Sequence, residues 1–294
     1  MSDHTFIDSK SAIRRRIYYD LLQRAIPDSR YGYDFTAFYP DFRDSSFALN
    51  RITGLSCYQS ADTIFITPDN SLEALRHQAL KDGKKALVPT YAMRRGFFVL
   101  DPRRISDQDF RFASLLDGME RPGIGRSVEV AQLKEEIGKI DLCVTGAGAV
   151  DARGRRLGNG RGFFDLAWAI LSDRGIVGPG TPVAAVVHEC QIVDEEQHPE
   201  EWDVRCDFVA TQDKLISIES VEQPEGGVLW DKLKPEQWQT ISVLQELKGI
   251  QMMEKIMNGT GSLHELPKPT PNLSSADELM GIQMMEQIMR DYKI

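Results

Sequence analysis

The chain predicts an α/β protein, a three-layer α/β/α sandwich on a mostly parallel sheet with a C-terminal helical tail. Three observations carry this. Thr63-Ile64-Phe65-Ile66, Ser71 to Lys81 and Ala86-Leu87-Val88 follow one another as buried strand, helical segment and second strand, the pattern of a βαβ unit. Ile140-Asp141-Leu142-Cys143-Val144 is a largely apolar run suited to a central parallel strand covered on both faces. The alternation then continues, with a helical pattern over Phe163 to Leu171 and further strands at Pro182 to Val187 and Phe208 to Ala210.

The elements before and between these follow local rules. From Ser9 to Ala25, Ile13, Ile17, Leu21 and Leu22 recur at helical spacing, with Ser9 or Ser11 as cap and Pro27 closing the segment. This predicts an amphipathic helix with a basic face. Arg30 to Cys57 is aromatic and irregular, carrying Tyr31, Tyr33, Phe35, Phe38, Tyr39, Phe42 and Phe47, and ends in a predicted helix around Ser46 to Leu55. Phe97 to Leu100 reads as a short strand and Val128 to Ile137 as a short helix or turn.

Beyond about Ser220 the alternation stops, which places a domain at 1–220 and a linker and tail at 221–294. Gln223-Pro224-Glu225-Gly226-Gly227 has linker composition. The tail carries a near-duplicate, since Gly249-Ile250-Gln251-Met252-Met253-Glu254-Lys255-Ile256-Met257 recurs over 281–289 with eight of nine positions identical. Each copy reads as a short Met-rich helix, packing on the domain or on its copy, or binding a partner.

A chain of 294 residues, 41% hydrophobic and 27% charged, can bury a sizeable core. Its net charge of -9 argues against a nucleic-acid or acidic-membrane partner, because the polyanion interaction needs a basic face. Cys57, Cys143, Cys190 and Cys206 are far apart with no CxxC pair, which predicts reduced thiols. No signal-like apolar segment and no run of roughly 18 uncharged apolar residues occurs, so a cytoplasmic protein is expected.

The chemistry concentrates between Arg153 and Asp165, where thirteen residues hold four glycines and four arginines. Glycines let the backbone approach a ligand, arginines bring fixed charge, and a following helix offers unpaired N–H groups, so the stretch reads as a phosphate cradle. The other reading is a glycine-rich surface turn with solvated arginines. As a cradle, its glycines and the first-turn N–H groups would wrap a triphosphate, Arg156 and Arg161 would offset its charge, and Asp165 would be a Mg2+ ligand beside the phosphates. No Lys-Ser/Thr pair follows the last glycine, so this is not a P-loop. Lys10 and Arg14, one helical turn apart, either reach the same phosphates or form a solvated face. His188 and Glu189, at the end of a predicted strand, read as an acid/base pair or as structural residues, and Asp203 and Asp207 as supporting acids or a charged rim.

Several blocks together resemble the 5-formyltetrahydrofolate cyclo-ligase family. Lys10 and Arg14 match its N-terminal basic pair, and Gly83-Lys84-Lys85-Ala86-Leu87-Val88-Pro89-Thr90-Tyr91 its strand ending in Pro-x-Tyr. Arg156-Leu157-Gly158-Asn159-Gly160-Arg161-Gly162-Phe163-Phe164-Asp165 is similar to its signature R-L-G-x-G-x-G-Y-Y-D. The resemblance, over about residues 9 to 215, implies a three-layer fold, MgATP in the glycine loop and ATP-driven phosphorylation of an N-formyl or amide oxygen, with Arg161 among the catalytic groups. This sequence departs from the pattern at Phe163-Phe164 for Tyr-Tyr, at Thr145 and Val150, and in lacking an aligned glutamate after the strand ending at Ile66. These departures resemble the divergent cyclo-ligase-like subgroup, whose small-molecule substrate need not be a folate.

Overall fold

The computed structural model describes residues 3–195, 197–235 and 240–258. Its elements are α1 (Asp3–Leu21), β1 (Ala25–Ile26), β2 (Asp41–Phe42), α2 (Ser45–Thr53), α3 (Ser56–Gln59), β3 (Thr63–Ile66), α4 (Glu73–Lys81), β4 (Lys85–Pro89) and β5 (Phe97–Leu100). Then come α5 (Phe110–Ala113), α6 (Leu116–Met119), β6 (Arg126–Val128), α7 (Leu133–Ile137), β7 (Leu142–Thr145), β8 (Ala149–Asp151), β9 (Arg156–Leu157) and α8 (Phe163–Asp173). β10 (Val183–Val186), β11 (Ile192–Val193), β12 (Phe208–Ala210), β13 (Leu215–Ser217) and α9 (Ser242–Met257) complete the chain.

The main sheet has the order β13-β12-β10-β7-β3-β4-β5-β6. Its five middle strands, β12 to β4, are parallel, and antiparallel strands finish both edges. Strand alternation sorts the side chains into two cores. On one face Ile64, Ile66, Ala86, Val88, Leu142 and Val144 join Ala48, Ile52, Leu75 and Ala79 of α2 and α4. Phe65 points the other way, its ring 6.1 Å from Phe164 of α8 and 6.5 Å from Phe97. Helices on both faces of a mostly parallel sheet are the architecture the sequence predicts.

A second, three-stranded sheet, β11-β8-β9, is built from the start of the glycine-rich stretch. α1 lies against it, with Ile17 and Leu21 packed among Phe35, Phe38, Ala149, Leu157 and Val193. This packing carries the basic face of α1 to the glycine turn.

The first compact unit ends at Leu247, not near residue 220 as composition suggests. The reason is that 221–247 is anchored. Gln223 exchanges two hydrogen bonds with the Arg205 backbone (3.1 and 3.0 Å), the Val228 amide donates to Asp173 (3.0 Å), and Ile241, Val243, Leu244 and Leu247 are buried. Of the Met-rich copies, the first lies in α9 and the second outside the described residues. The four cysteines are free thiols, and no described helix is long and apolar enough to cross a membrane.

Candidate functional site

Crossovers leave β3 toward β4 on one side and β7 toward β10 on the other, so the sheet order reverses between β3 and β7. In open parallel sheets the crevice beyond the carboxyl ends of such strands is the place for a ligand. Here it is a pocket lined by Thr67 to Asn70 after β3, Pro89 to Met93 around the end of β4, Thr145 of β7, and Gly162 to Asp165 at the start of α8. Phe38 and Tyr39 line it as well.

The exit from β3 is held by a buried guanidinium. Arg76 is 2% exposed and donates to the carbonyls of Thr67 (2.9 Å), Asp69 (3.1 Å) and Ser114 (2.8 Å). The Asp69 carboxylate accepts from the Gly146 amide (2.8 Å) and the Thr67 hydroxyl, tying the exits of β3 and β7 together. Burial pushes this carboxyl above its ordinary value, against the pull of those two donors.

Between β8 and β9 the chain turns on Asp151, whose carboxylate accepts from the amides of Arg153 (2.9 Å) and Arg155 (3.0 Å) and pairs with the Arg155 guanidinium (2.7 Å). These two arginines belong to the hairpin corner, not to the cradle. From Gly158 onward the backbone forms the turn before α8. Gly160 and Gly162 have φ of +95° and +65°, a left-handed region that strongly favours glycine. The first backbone bond of α8 runs from the Leu166 amide to the Gly162 carbonyl (2.9 Å), so the amides of Phe163, Phe164 and Asp165 precede any intrahelical acceptor. An eleven-residue helix thus opens at a glycine turn on amides that have no intrahelical acceptor, the arrangement that favours an anion.

Positive charge is brought to this turn from three places. Arg14 of α1 donates to the Gly158 carbonyl (2.8 Å), and its guanidinium lies 3.9 Å from where a Cβ on Gly160 would stand. Arg161 is exposed, with one nitrogen 3.5 Å from the Tyr91 hydroxyl. Arg156 is different, because its side chain is only 4% exposed. It pairs with Asp165, donates to the Val204 carbonyl (3.0 Å) and lies over the Phe164 ring at 4.4 Å. Asp165 also accepts from the Val204 amide (3.0 Å). Burial pushes the Asp165 carboxyl up, Arg156 opposes this and the charge of Asp203 adds to it.

The sequence pattern of the 5-formyltetrahydrofolate cyclo-ligase family matches residues 7–212. The chain belongs to that family. Relatives named methenyltetrahydrofolate synthase domain-containing protein are 31% identical in Danio rerio, over 72% of this chain and 55% of the relative, and 30% identical in Homo sapiens, over 78% and 60%. This cyclo-ligase family member therefore spans about 55 to 60% of the length of those relatives. Among solved structures it is similar to Aquifex aeolicus 5,10-methenyltetrahydrofolate synthetase, at 15% identity and a TM-score of 0.44, over 75% of this chain and 98% of that one.

In this cyclo-ligase family chain the predicted site residues divide into two groups. Arg14, Arg156, Gly158, Asn159, Gly160, Arg161, Gly162, Phe163 and Asp165 come together at the turn and its pocket walls. Lys10 faces Glu200 across 3.8 Å. His188 and Glu189 are not among the residues lining the pocket. The His188 ring accepts the Cys190 amide at Nδ1 (3.0 Å), approaches Gln212 at Nε2 (3.3 Å) and meets Phe42 edge-on, while Glu189 pairs with Lys214 (2.7 Å). Strand β10 ends beyond the switch point, so the acid/base pair expected there caps a short turn instead.

Three pocket residues escaped the sequence reading of this family member. Tyr39 accepts the Asn159 amide (3.0 Å), Asp69 ties two strand exits, and Tyr91 stacks on Tyr31 at 5.4 Å while donating to the Ala37 carbonyl (3.0 Å). Tyr39 lay in the segment that could not be ordered, whereas Asp69 and Tyr91 follow strand ends, and Tyr91 also closes the Pro-x-Tyr block.

Proposed function

We propose that the protein is an ATP- and Mg2+-dependent, 5-formyltetrahydrofolate cyclo-ligase-like enzyme that phosphorylates an N-formyl or amide oxygen of a small metabolite, folate or non-folate. The observation that carries this reading is the Gly160–Gly162 turn at the start of α8, with the Arg14 guanidinium against it. The residues fit the nucleotide. Two left-handed glycines and the first-turn amides of α8 suit phosphate oxygens, and Arg14 and Arg161 offset their charge. Asp165 is the carboxylate that would meet a divalent cation carried by the nucleotide; it is paired with Arg156, and among the described residues no three His, Cys, Asp or Glu gather into a metal cluster.

When bound, MgATP would supply the phosphoryl group and the charge neutralisation that its transfer requires. The acceptor oxygen would take that group, ADP would leave, and closure by a neighbouring nitrogen would expel inorganic phosphate. The chain's own part is positioning. Asp69, Asn70 and Tyr91 present polar atoms to the acceptor, Phe163 and Phe164 shield it from water, and Arg156 fixes Asp165 against the β9 side of the pocket.

Calorimetric titration with MgATP tests the reading. Wild-type protein is expected to bind, and Arg161→Ala to bind about tenfold or more weakly; equal affinity, or none in either protein, overturns it. Formation of methenyltetrahydrofolate from 5-formyltetrahydrofolate, followed by absorbance, decides whether folate is the acceptor.

A second reading is a nucleotide- or metabolite-binding module without turnover. It is favoured by the loss of both signature hydroxyls at Phe163-Phe164 and by the position of His188 and Glu189 outside the pocket. Phosphate release from ATP stimulated by any formylated pterin or thiazole-type metabolite excludes it.

A further inference from the structure

The residues lining the pocket at the switch point include two carboxylates, Asp69 and Asp165. They are placed differently. Asp165 is paired with Arg156 and accepts the Val204 amide (3.0 Å), so its charge is committed within the protein. Asp69 makes no salt bridge among the described residues, because the hydrogen bonds of the neighbouring Arg76 go to the backbone carbonyls of Thr67, Asp69 and Ser114. The two hydrogen bonds that its carboxylate accepts, from the Thr67 hydroxyl and the Gly146 amide (2.8 Å), both end on Oδ2. Oδ1 is left for the pocket that Asp69 lines. Other polar groups there are engaged, since Arg30 pairs with Asp28 (3.1 Å) and the Tyr91 hydroxyl donates to the Ala37 carbonyl (3.0 Å).

The seat of this carboxylate is close-fitting. A Cβ on Gly146 would stand 3.0 Å from Oδ2 of Asp69 and 3.0 Å from Cβ and Cδ2 of Tyr39, so carboxylate and ring are held against one backbone position. At the far end of the same ring, the Tyr39 hydroxyl accepts the amide of Asn159 in the glycine turn (3.0 Å). One tyrosine thus spans from the carboxylate to the proposed phosphate site. The charged groups that act on Asp69 are Arg76 of α4 and Arg156 of β9, with the Tyr39 phenol beside it.

We infer that Asp69 is the catalytic proton acceptor of the ring-closing step, its Oδ1 receiving the proton of the nitrogen that closes the ring. This deepens the reaction proposed above and rests on it. In that step the nitrogen–carbon bond forms, the bond from carbon to the phosphorylated oxygen breaks, and phosphate leaves with the electron pair. The proton passes from nitrogen to Oδ1 and then to the departing phosphate, which leaves as hydrogen phosphate and restores the carboxylate. A general base works best with a pKa near the working pH, and burial raises the Asp69 carboxyl in that direction. Two donors on Oδ2 hold Oδ1 in one place, the positioning such a transfer needs.

The test reads phosphate release from MgATP with 5-formyltetrahydrofolate or another formylated pterin, alongside MgATP affinity by calorimetry. Asp69→Asn keeps an acceptor for the Gly146 amide but removes the base. Its kcat is expected to fall about 100-fold or more, with KM for the formyl compound within about threefold and MgATP affinity within about twofold of wild type. Wild-type kcat should rise with pH through the Asp69 pKa, because only the carboxylate accepts a proton, and that limb should be absent from Asp69→Asn. Added formate, a carboxylate small enough for the gap, should raise the turnover of Asp69→Ala about tenfold. Asp69→Asn turning over within about threefold of wild type, an unchanged acidic limb, or no effect of formate overturns the inference. A loss of MgATP affinity in step with kcat assigns Asp69 to structure and overturns it too. Wild type releasing no phosphate with either compound overturns the proposed reaction itself.

Discussion

At the scale of single residues, the ion pair of Arg156 and Asp165 decides the shape of the site. Sequence spacing makes both of them ligand groups, yet the structure turns them toward each other and toward Val204. Removing one partner leaves the other charge buried, so Arg156→Met should cost about 3–5 kcal/mol of unfolding free energy in urea titrations, and adding Asp165→Leu should return part of the loss. Asp28 makes a prediction about pH. Burial raises its carboxyl, but hydrogen bonds from Arg30, Asn70 and the amides of Arg30 and Tyr31 outweigh burial and hold it well below the carboxylate range. A depressed carboxyl contributes stability that is complete above its unfolded pKa of about 3.9 and is lost as pH falls through the folded value. The urea midpoint of wild type should therefore fall below about pH 4, and fall less in Asp28→Asn. Asp69, Asp165 and Asp207 are raised and act in the opposite sense, so the difference between the two proteins isolates Asp28.

At the scale of elements, the β8–β9 hairpin and α8 turn a glycine-rich stretch into a site. Gly154 has φ +73°, and a Cβ there would stand 2.2 Å from the Cys206 carbonyl, whose own amide donates to the Gly154 carbonyl (2.8 Å). Gly154→Ala should lower stability by about 1–3 kcal/mol and shift the thermal midpoint accordingly, because backbone cannot yield as a flexible side chain can. Much at this scale was legible in advance. Thr63–Ile66, Phe97–Leu100 and Phe208–Ala210 are strands over the predicted residues, and α8 starts at Phe163 as expected. Their apolar runs are bounded by turn residues, so local pattern suffices. The β8–β9 hairpin was not legible, because Arg156-Leu157 pairs with Ala149-Val150 across the loop and two residues carry no periodicity.

At the scale of the whole molecule, residues 221–247 belong to the first unit. A chain ending at Ser220 would lose Ile241, Val243, Leu244 and Leu247, each buried and each worth about 1.5–3 kcal/mol. Such a truncation should be less stable by on the order of 6 kcal/mol or more, read by thermal or urea unfolding. Composition alone suggested a dispensable tail. A proline- and glycine-containing segment has the same composition whether it is a linker or is pinned, as here, by Gln223 and Val228.

The sequence by itself determined the α/β class, most of the parallel strands, the glycine turn with its arginines, and family membership. Those features reside in runs of adjacent residues, where apolar periodicity and glycine content act locally. Only the tertiary structure decided which charges are available. Arg156 became a buried partner of Asp165, His188 and Glu189 fell beyond the switch point, and Tyr39, Asp69 and Tyr91 entered the pocket. Such assignments depend on which strand ends are neighbours and which loops fold over them, and burial then sets the pairing of each charge. Residues far apart in the chain meet only after the sheet order is established.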